Sequence, residues 1–378
     1  MNLSDIFCQD RAVEALRRAH QTGRLAHAYI FDGIDGIGKF TTAKAFAKLL
    51  LCQSDQSEIS PQGSSTNLKS QIDSCGQCES CRMIDADNHP DFHHIYKELC
   101  KVSREPELRS KQPIDLPIGV IREFFIEKIQ VKPSLSTSKV FVISESEKLN
   151  IASQNALLKV LEEPPNKSFI ILLCSKLDNL LPTTKSRSQI VHFGPLSEEK
   201  IIEKLPEVNQ TEAKFFARFT NGSLGQSELL TKLQPSFYAI KKEFVKKFSI
   251  FQIGDVVDFS QWINSSAGEL AESWMKLKAA SSKADLGRAA RKIFVSLFIS
   301  VLSDAMRVSL GGEEKLTNFD QLAEVKTISQ RFGQLGCADI IEVCYQTIRF
   351  IDASVNEKLV FEHLLLNCTE SGIIKSSI

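Results

Sequence analysis

Three sets of side chains have types and spacings that could do chemistry. The first is Lys39 with the glycines before it: Gly33-Ile34-Asp35-Gly36-Ile37-Gly38-Lys39-Phe40 follows the phosphate-loop spacing G-x-x-x-x-G-K-[ST] up to its last position. Backbone N–H groups at a helix N-terminus point at an anion, and the helix dipole adds partial positive charge. Glycines let the main chain approach the phosphate, and Lys39 supplies charge for the outer phosphates. The closing hydroxyl, which normally holds Mg²⁺, is replaced by Phe40. Thr41 comes one residue late, a helical rotation of about 100°, so it is no simple substitute. Gly33, Gly36, Gly38, Lys39 and Thr41 are the candidate nucleotide-binding residues, with ATP or ADP held without turnover. The plainer alternative, a glycine-rich turn that binds nothing, is weaker because strand, glycines, lysine and helix all fall in order.

The second set is Cys52, Cys75, Cys78 and Cys81. Two consecutive C-x-x-C steps and one distant cysteine supply four thiolates, the ligand set of a closed structural zinc site. Zn²⁺ is favoured over four reduced thiols, since three cysteines so spaced in a polar segment are hard to explain as packing. With every position taken by protein, such a metal staples a module and does no chemistry. Cys8, Cys100, Cys174, Cys337, Cys344 and Cys368 show no such spacing and read as ordinary thiols; His89, His93 and His94 are left out of the ligand set.

The third set is the pair Ser144–Glu145, which ends the apolar run Lys-Val-Phe-Val-Ile at 139–143. In P-loop ATPases the strand facing the phosphate loop ends in an Asp that helps hold Mg²⁺, commonly followed by a Glu that polarises the attacking water. Here the Asp position is Ser144, while Glu145 is retained as a remnant of the catalytic pair. Positions 40 and 144 are changed together, which argues against hydrolysis at this site.

The elements that must position these groups follow from the pattern. Residues 28–31, 139–144, 169–174 and 189–193 are apolar, strand-like runs, and helical spacing lies between them, as at 42–51 and 152–163, where Pro164–Pro165 stops the helix. This alternation predicts a doubly wound parallel α/β sheet. Residues 53–74, rich in Ser, Gln and Asp, read as a solvated loop. Beyond Ser197 strand signals vanish and amphipathic helices follow, with a turn at 220–225 and a larger helical block from about Pro235.

At 378 residues the chain is too long for one ordinary core. Its 46 basic residues match 46 acidic ones, and a protein that holds DNA alone is usually basic, so nucleic-acid contact is expected to be local or shared with partners. The N-terminal stretch reads as an amphipathic helix rather than a secretion signal, and the apolar run 293–302 is too short to span a bilayer. With ten cysteines and no such signal, a reducing compartment is expected, the cytoplasm by default.

Taken together, RLAHAYIFDGIDGIGKFTTAKAFAKLLLC, CGQCESCRMIDADNHPDF, KVFVISESEKLNIASQNALLKVLEEPP, TKSRSQIVHF and SVNEKLVFEHLLLN resemble the AAA+ clamp-loader subunits of bacterial DNA polymerase III, the delta-prime type above all. The resemblance implies a RecA-like AAA+ domain over residues 1–195 with a zinc module inserted at about 52–95. A helical lid at 196–234 and a helical collar at 235–378, which packs subunits into a ring, would follow. It also implies that Arg187, in Ser186-Arg187-Ser188, is an arginine finger offered in trans to a neighbour's ATP. Arginine suits that role because it is always protonated and can contact phosphate bidentately. TNGSLGQSEL looks like the lid segment in which active subunits carry a sensor arginine, but none stands at 224–226.

The implied function lies in DNA replication: a structural, non-hydrolysing subunit of the clamp loader, with gamma/tau and delta types as ring partners. The ring would place the sliding clamp on primed DNA, with no membrane involved. Independent catalysis is not expected, although the chain would belong to a DNA-directed DNA polymerase holoenzyme, a nucleotidyltransferase complex that includes an ATPase. The alternative is an ATP-hydrolysing gamma/tau-like motor subunit. A zinc-dependent nucleic-acid-binding module is weaker, given the neutral charge and the lack of a basic–aromatic cluster near the cysteines.

Overall fold

A computed structural model describes residues 1–54, 73–109, 115–165, 167–277 and 282–373. Most of the 53–74 loop therefore lies outside the described residues. Packing divides the chain into two compact units, Met1–Leu196 and Ser197–Ile378.

The first unit is a five-stranded sheet. Its strands are β1 (Ala28–Asp32), β2 (Phe92–Ile95), β3 (Lys139–Ile143), β4 (Ser168–Cys174) and β5 (Gln189–His192), in the order β2-β3-β4-β1-β5. Every pairing is parallel, with Ile30 opposite Leu172 and Ile190, and His94 opposite Val142. The predicted doubly wound α/β sheet is thus present. The sequence reading did not anticipate β2: it is four residues long and half of it is histidine.

Alternation along β1 divides the core between the two faces. Tyr29 and Phe31 join Ala43 and Phe46 of the helix that follows, while Ala28 and Ile30 face Phe125, Leu157 and Leu161. Burial of a ring such as Phe46 contributes about 1.5–3 kcal/mol. Strands buried on both faces read as continuous apolar runs because helices cover both sides. Those helices include α1 (Asp10–Gln21), α2 (Lys39–Leu50) and the helix Ile151–Glu162. The last is capped by Asn150, whose Oδ1 accepts the Ser153 N–H at 2.8 Å. Between β2 and β3 a further helix runs from Ile118, with a π-helical turn over Arg122–Ile126.

Among its described residues the second unit has helices and no strands, from Glu198–Lys204 to Glu357–Ile373. Its longest element, Leu322–Asp352, breaks at Gly333, whose φ of 60° and ψ of −174° lie outside the helical range. No helix among the described residues is long and apolar enough to cross a membrane.

Candidate functional site

The C-terminal ends of parallel strands are where open α/β sheets place their ligand crevice, and the glycine loop lies at the end of β1. Its first residue is fixed to the sheet, the Gly33 N–H donating to the Cys174 carbonyl at 3.1 Å. Gly33 has φ 155°, and a Cβ there would meet the Phe193 carbonyl oxygen at 2.6 Å. Gly38, with φ 97°, is the N-cap of α2. That helix starts at Lys39, three residues earlier than the helical spacing from 42 indicated, because Gly38 takes the left-handed cap at no steric cost.

Lys39 is buried, and its ammonium is satisfied by the loop itself. It donates to the Gly33 carbonyl, to the Ile34 carbonyl at 3.0 Å, and to the Asp35 carboxylate at 3.3 Å. The structure therefore brings Gly33, Gly36, Gly38 and Lys39 into one loop, folded around its own cation. Thr41 lies elsewhere. It lines an open cleft of about 400 Å³ with Lys44, Lys48, Ile84 and Asp85.

Phe40 and Ser144 are linked through β2. The His94 ring lies 4.4 Å from the Phe40 ring, and its Nε2 is 2.8 Å from the Ser144 hydroxyl. Burial pushes His94 down to about 4, so the imidazole is neutral at neutral pH. Glu145 takes a left-handed conformation, φ 52°, and its carboxylate pairs with Lys148 at 2.5 Å.

The four cysteines converge, their sulfurs all within 4.8 Å of one another. Cys52 Sγ lies 4.0 Å from Cys78 Sγ, and Cys75 Sγ lies 3.9 Å from Cys81 Sγ. A tetrahedral zinc with Zn–S bonds of about 2.3 Å has S···S edges of about 3.8 Å, so the residues fit that metal. Local structure prepares the sulfurs. Cys78 caps α3 (Glu79–Asp85) by accepting the Cys81 N–H, and Cys75 accepts N–H groups from Gln77 and Cys78 at 3.4 and 3.3 Å. Burial pushes the Cys75 thiol up, but hydrogen bonds from Ser54, Cys78 and Gln77 outweigh it and hold the thiol at about 6. Burial and the neighbouring sulfurs of Cys78 and Cys52 drive Cys81 upward. Four adjacent thiolates repel one another unless a cation sits among them.

This module is bolted to the loop helix. Lys44 and Lys48, one turn apart on α2, pair with Asp87 and Asp85, each at 2.5 Å. The Ser80 hydroxyl donates to the Leu51 carbonyl at 2.7 Å.

Two residues that the sequence reading passed over complete the joint. His89 Nε2 lies 2.7 Å from the Ser80 hydroxyl, and its Nδ1 accepts the Asp91 N–H. The fully buried Asp91 carboxylate accepts three backbone N–H groups, from Ser134, Leu135 and Ser136, at 2.7–2.8 Å. The signal for both was the run His89-Pro90-Asp91; the partners of the Asp91 carboxylate lie more than forty residues away and show no pattern in sequence.

Arg187 ends the short helix Pro182–Ser186 ahead of β5. Its guanidinium donates to the Thr183 carbonyl at 3.2 Å and pairs with Glu162 at 2.9 Å. Both side chains are substantially exposed, 37% and 52% respectively.

The family profile described as "DNA polymerase III, delta subunit" matches residues 8–197, half of the chain. The chain belongs to the DNA polymerase III delta-subunit family. The matched span takes in all five strands, with the glycine loop, the cysteine cluster and Arg187. Among relatives of the family, the chain is 24% identical to the Bacillus subtilis (strain 168) protein "DNA polymerase III subunit delta'", over 96% of each. With the Escherichia coli (strain K12) protein of the same description it shares 30% identity over 56% of each chain. It is also 30% identical to the "DNA polymerase III subunit tau/gamma" of Haemophilus influenzae, over 54% of this chain but 25% of that one. Membership places the chain among delta-prime subunits of the clamp-loader family, proteins of DNA replication.

Proposed function

We propose that the chain is a non-hydrolysing structural subunit of a clamp-loader ring, lending Arg187 to the ATP site of a neighbouring subunit. The observation that carries this is the divided state of the loop. Lys39 and its glycines are kept, while the two positions that would hold Mg²⁺ are Phe40 and Ser144. A subunit that has lost its own metal ligands but keeps an exposed, always-charged guanidinium is suited to serve another site. Glu145, paired with Lys148, is a remnant of the catalytic pair, and any ATP or ADP in the loop would be held without turnover.

Cys52, Cys75, Cys78 and Cys81 would hold a structural zinc ion, which supplies rigidity and no chemistry because no coordination position is left open. Within the helical unit, residues 196–234 would act as lid and 235–378 as collar. Partners would be gamma/tau-type and delta-type subunits, with the sliding clamp and primed DNA engaged by the assembled ring in the cytoplasm. The tau/gamma relative keeps a second reading in play, an ATP-hydrolysing motor subunit, but Phe40, Ser144 and the missing lid arginine oppose it.

The test is reconstitution with motor subunits. Arg187→Ala is expected to leave ring assembly intact and to lower its ATPase rate sharply. An unchanged rate removes the finger assignment. Brisk, magnesium-dependent ATP turnover by the isolated chain removes the non-hydrolysing reading.

A further inference from the structure

The pair Phe40 and Ser144 explains the loss of metal ligands, but not what fills the position they would have shared. In an active loop the side chains at 40 and 144 converge on magnesium, which binds its ligands at about 2.0–2.1 Å. Here the His94 ring spans the same gap. It lies 4.4 Å from the Phe40 ring, tilted by 39°, and hydrogen-bonds Ser144 at 2.8 Å. Tyr96 packs on the same imidazole with centroids 4.8 Å apart. The ring is therefore gripped by three side chains and fixed by the pairing of β2 with β3.

We propose that His94 is the residue that closes the magnesium position of this loop, so that restoring the two ligand side chains alone does not restore magnesium-dependent nucleotide binding. The inference rests on reading the loop as a remnant phosphate cradle. A carboxylate introduced at 144 would face an imidazole already in hydrogen-bonding contact. It would draw a proton onto the ring, and the resulting ion pair would use up the negative charge the metal needs. Removing the imidazole both empties the gap and frees that carboxylate.

The test compares the full chain with three variants: His94→Ala, the double Phe40→Thr/Ser144→Asp, and the triple that combines all three changes. Each is titrated with a fluorescent ATP analogue with and without Mg²⁺, and each is checked for a cooperative melt. The expected result is no magnesium effect in the unaltered chain or the double variant, and tightening of about tenfold or more in the triple. Equal tightening in the double and triple variants overturns the role of His94 and leaves the reading of the loop standing. A folded triple variant without tightening also overturns it. Tightening in the unaltered chain overturns the remnant reading itself.

A second readout serves if the triple variant does not fold. In Ser144→Asp alone, NMR titration of the His94 imidazole is expected to show its pKa raised; an unmoved value places the ring away from position 144 and refutes the proposal.

Discussion

If Arg187 serves a neighbouring subunit as proposed, its ion pair with Glu162 competes with that contact, and Glu162→Gln is expected to release it. The pair is well aligned, at 2.9 Å, yet 37% of the arginine side chain and 52% of the glutamate are exposed. Exposed pairs of this kind are worth about 0.2–1 kcal/mol, because water screens the attraction and ordering two long side chains costs entropy. That corresponds to a factor of about 1.4–5 in the population of free guanidinium. Glu162→Gln should therefore lower, by no more than about fivefold, the chain concentration needed for half-maximal ATPase activity of a reconstituted ring, without raising the plateau. The gain should shrink with added salt, since charges are screened over about 8 Å at physiological ionic strength. Arg187→Ala should have a far larger effect, because arginine fingers are worth about 10³–10⁵ in rate where they have been removed. The hydrogen bond to the Thr183 carbonyl remains in Glu162→Gln and keeps the guanidinium near its present place. A tenfold or greater change, or a gain that persists at high salt, refutes the parking argument: the pair would then be holding structure rather than a mobile side chain.

Three further outcomes are expected. Asp91→Asn replaces one oxygen of a buried acceptor of three backbone N–H groups, and with charge-assisted bonds worth about 1.5–3 kcal/mol each, urea unfolding should show a loss of about 2–4 kcal/mol; a loss under about 0.5 kcal/mol contradicts that role. Burial pushes both His93 and His94 down to about 4 from 6.5, so between those values the unfolded chain binds more protons, and stability is full above pH 6.5 and falls as the pH drops toward 4. His93→Phe, which keeps the stacking on Phe141, should flatten the fall of melting temperature with acid by roughly one proton's share, and an unchanged slope counts against this assignment. Purified chain should carry one zinc by elemental analysis, its removal by chelator should lower the melting temperature, and acid should promote release because protons compete for the thiolates; a metal-free chain with an unaltered melt excludes the structural zinc.

Much of the chemistry was legible in the residues alone because it depends on local spacing. A glycine loop between an apolar strand and a helix is set by backbone freedom at Gly33 and Gly38. Two C-x-x-C steps place their sulfurs within reach of one ion through a single helical cap at Cys78. The parallel sheet was legible for a similar reason, since strands covered on both faces have no polar positions to spare. The changes at positions 40 and 144 could also be read directly, as each stands at a fixed place in its motif.

Tertiary structure decided the contacts between residues far apart in the chain. Only the pairing of β2 with β3 brings His94 against both Phe40 and Ser144, three residues from separate elements with no mutual spacing in sequence. Only folding closes Asp91 on the backbone at 134–136 and rests Arg187 on Glu162. Motifs fix which groups are available at short range. Which of them meet depends on chain packing, since hydrogen bonds and ion pairs act over only a few ångströms while the residues that form them can lie anywhere along the chain.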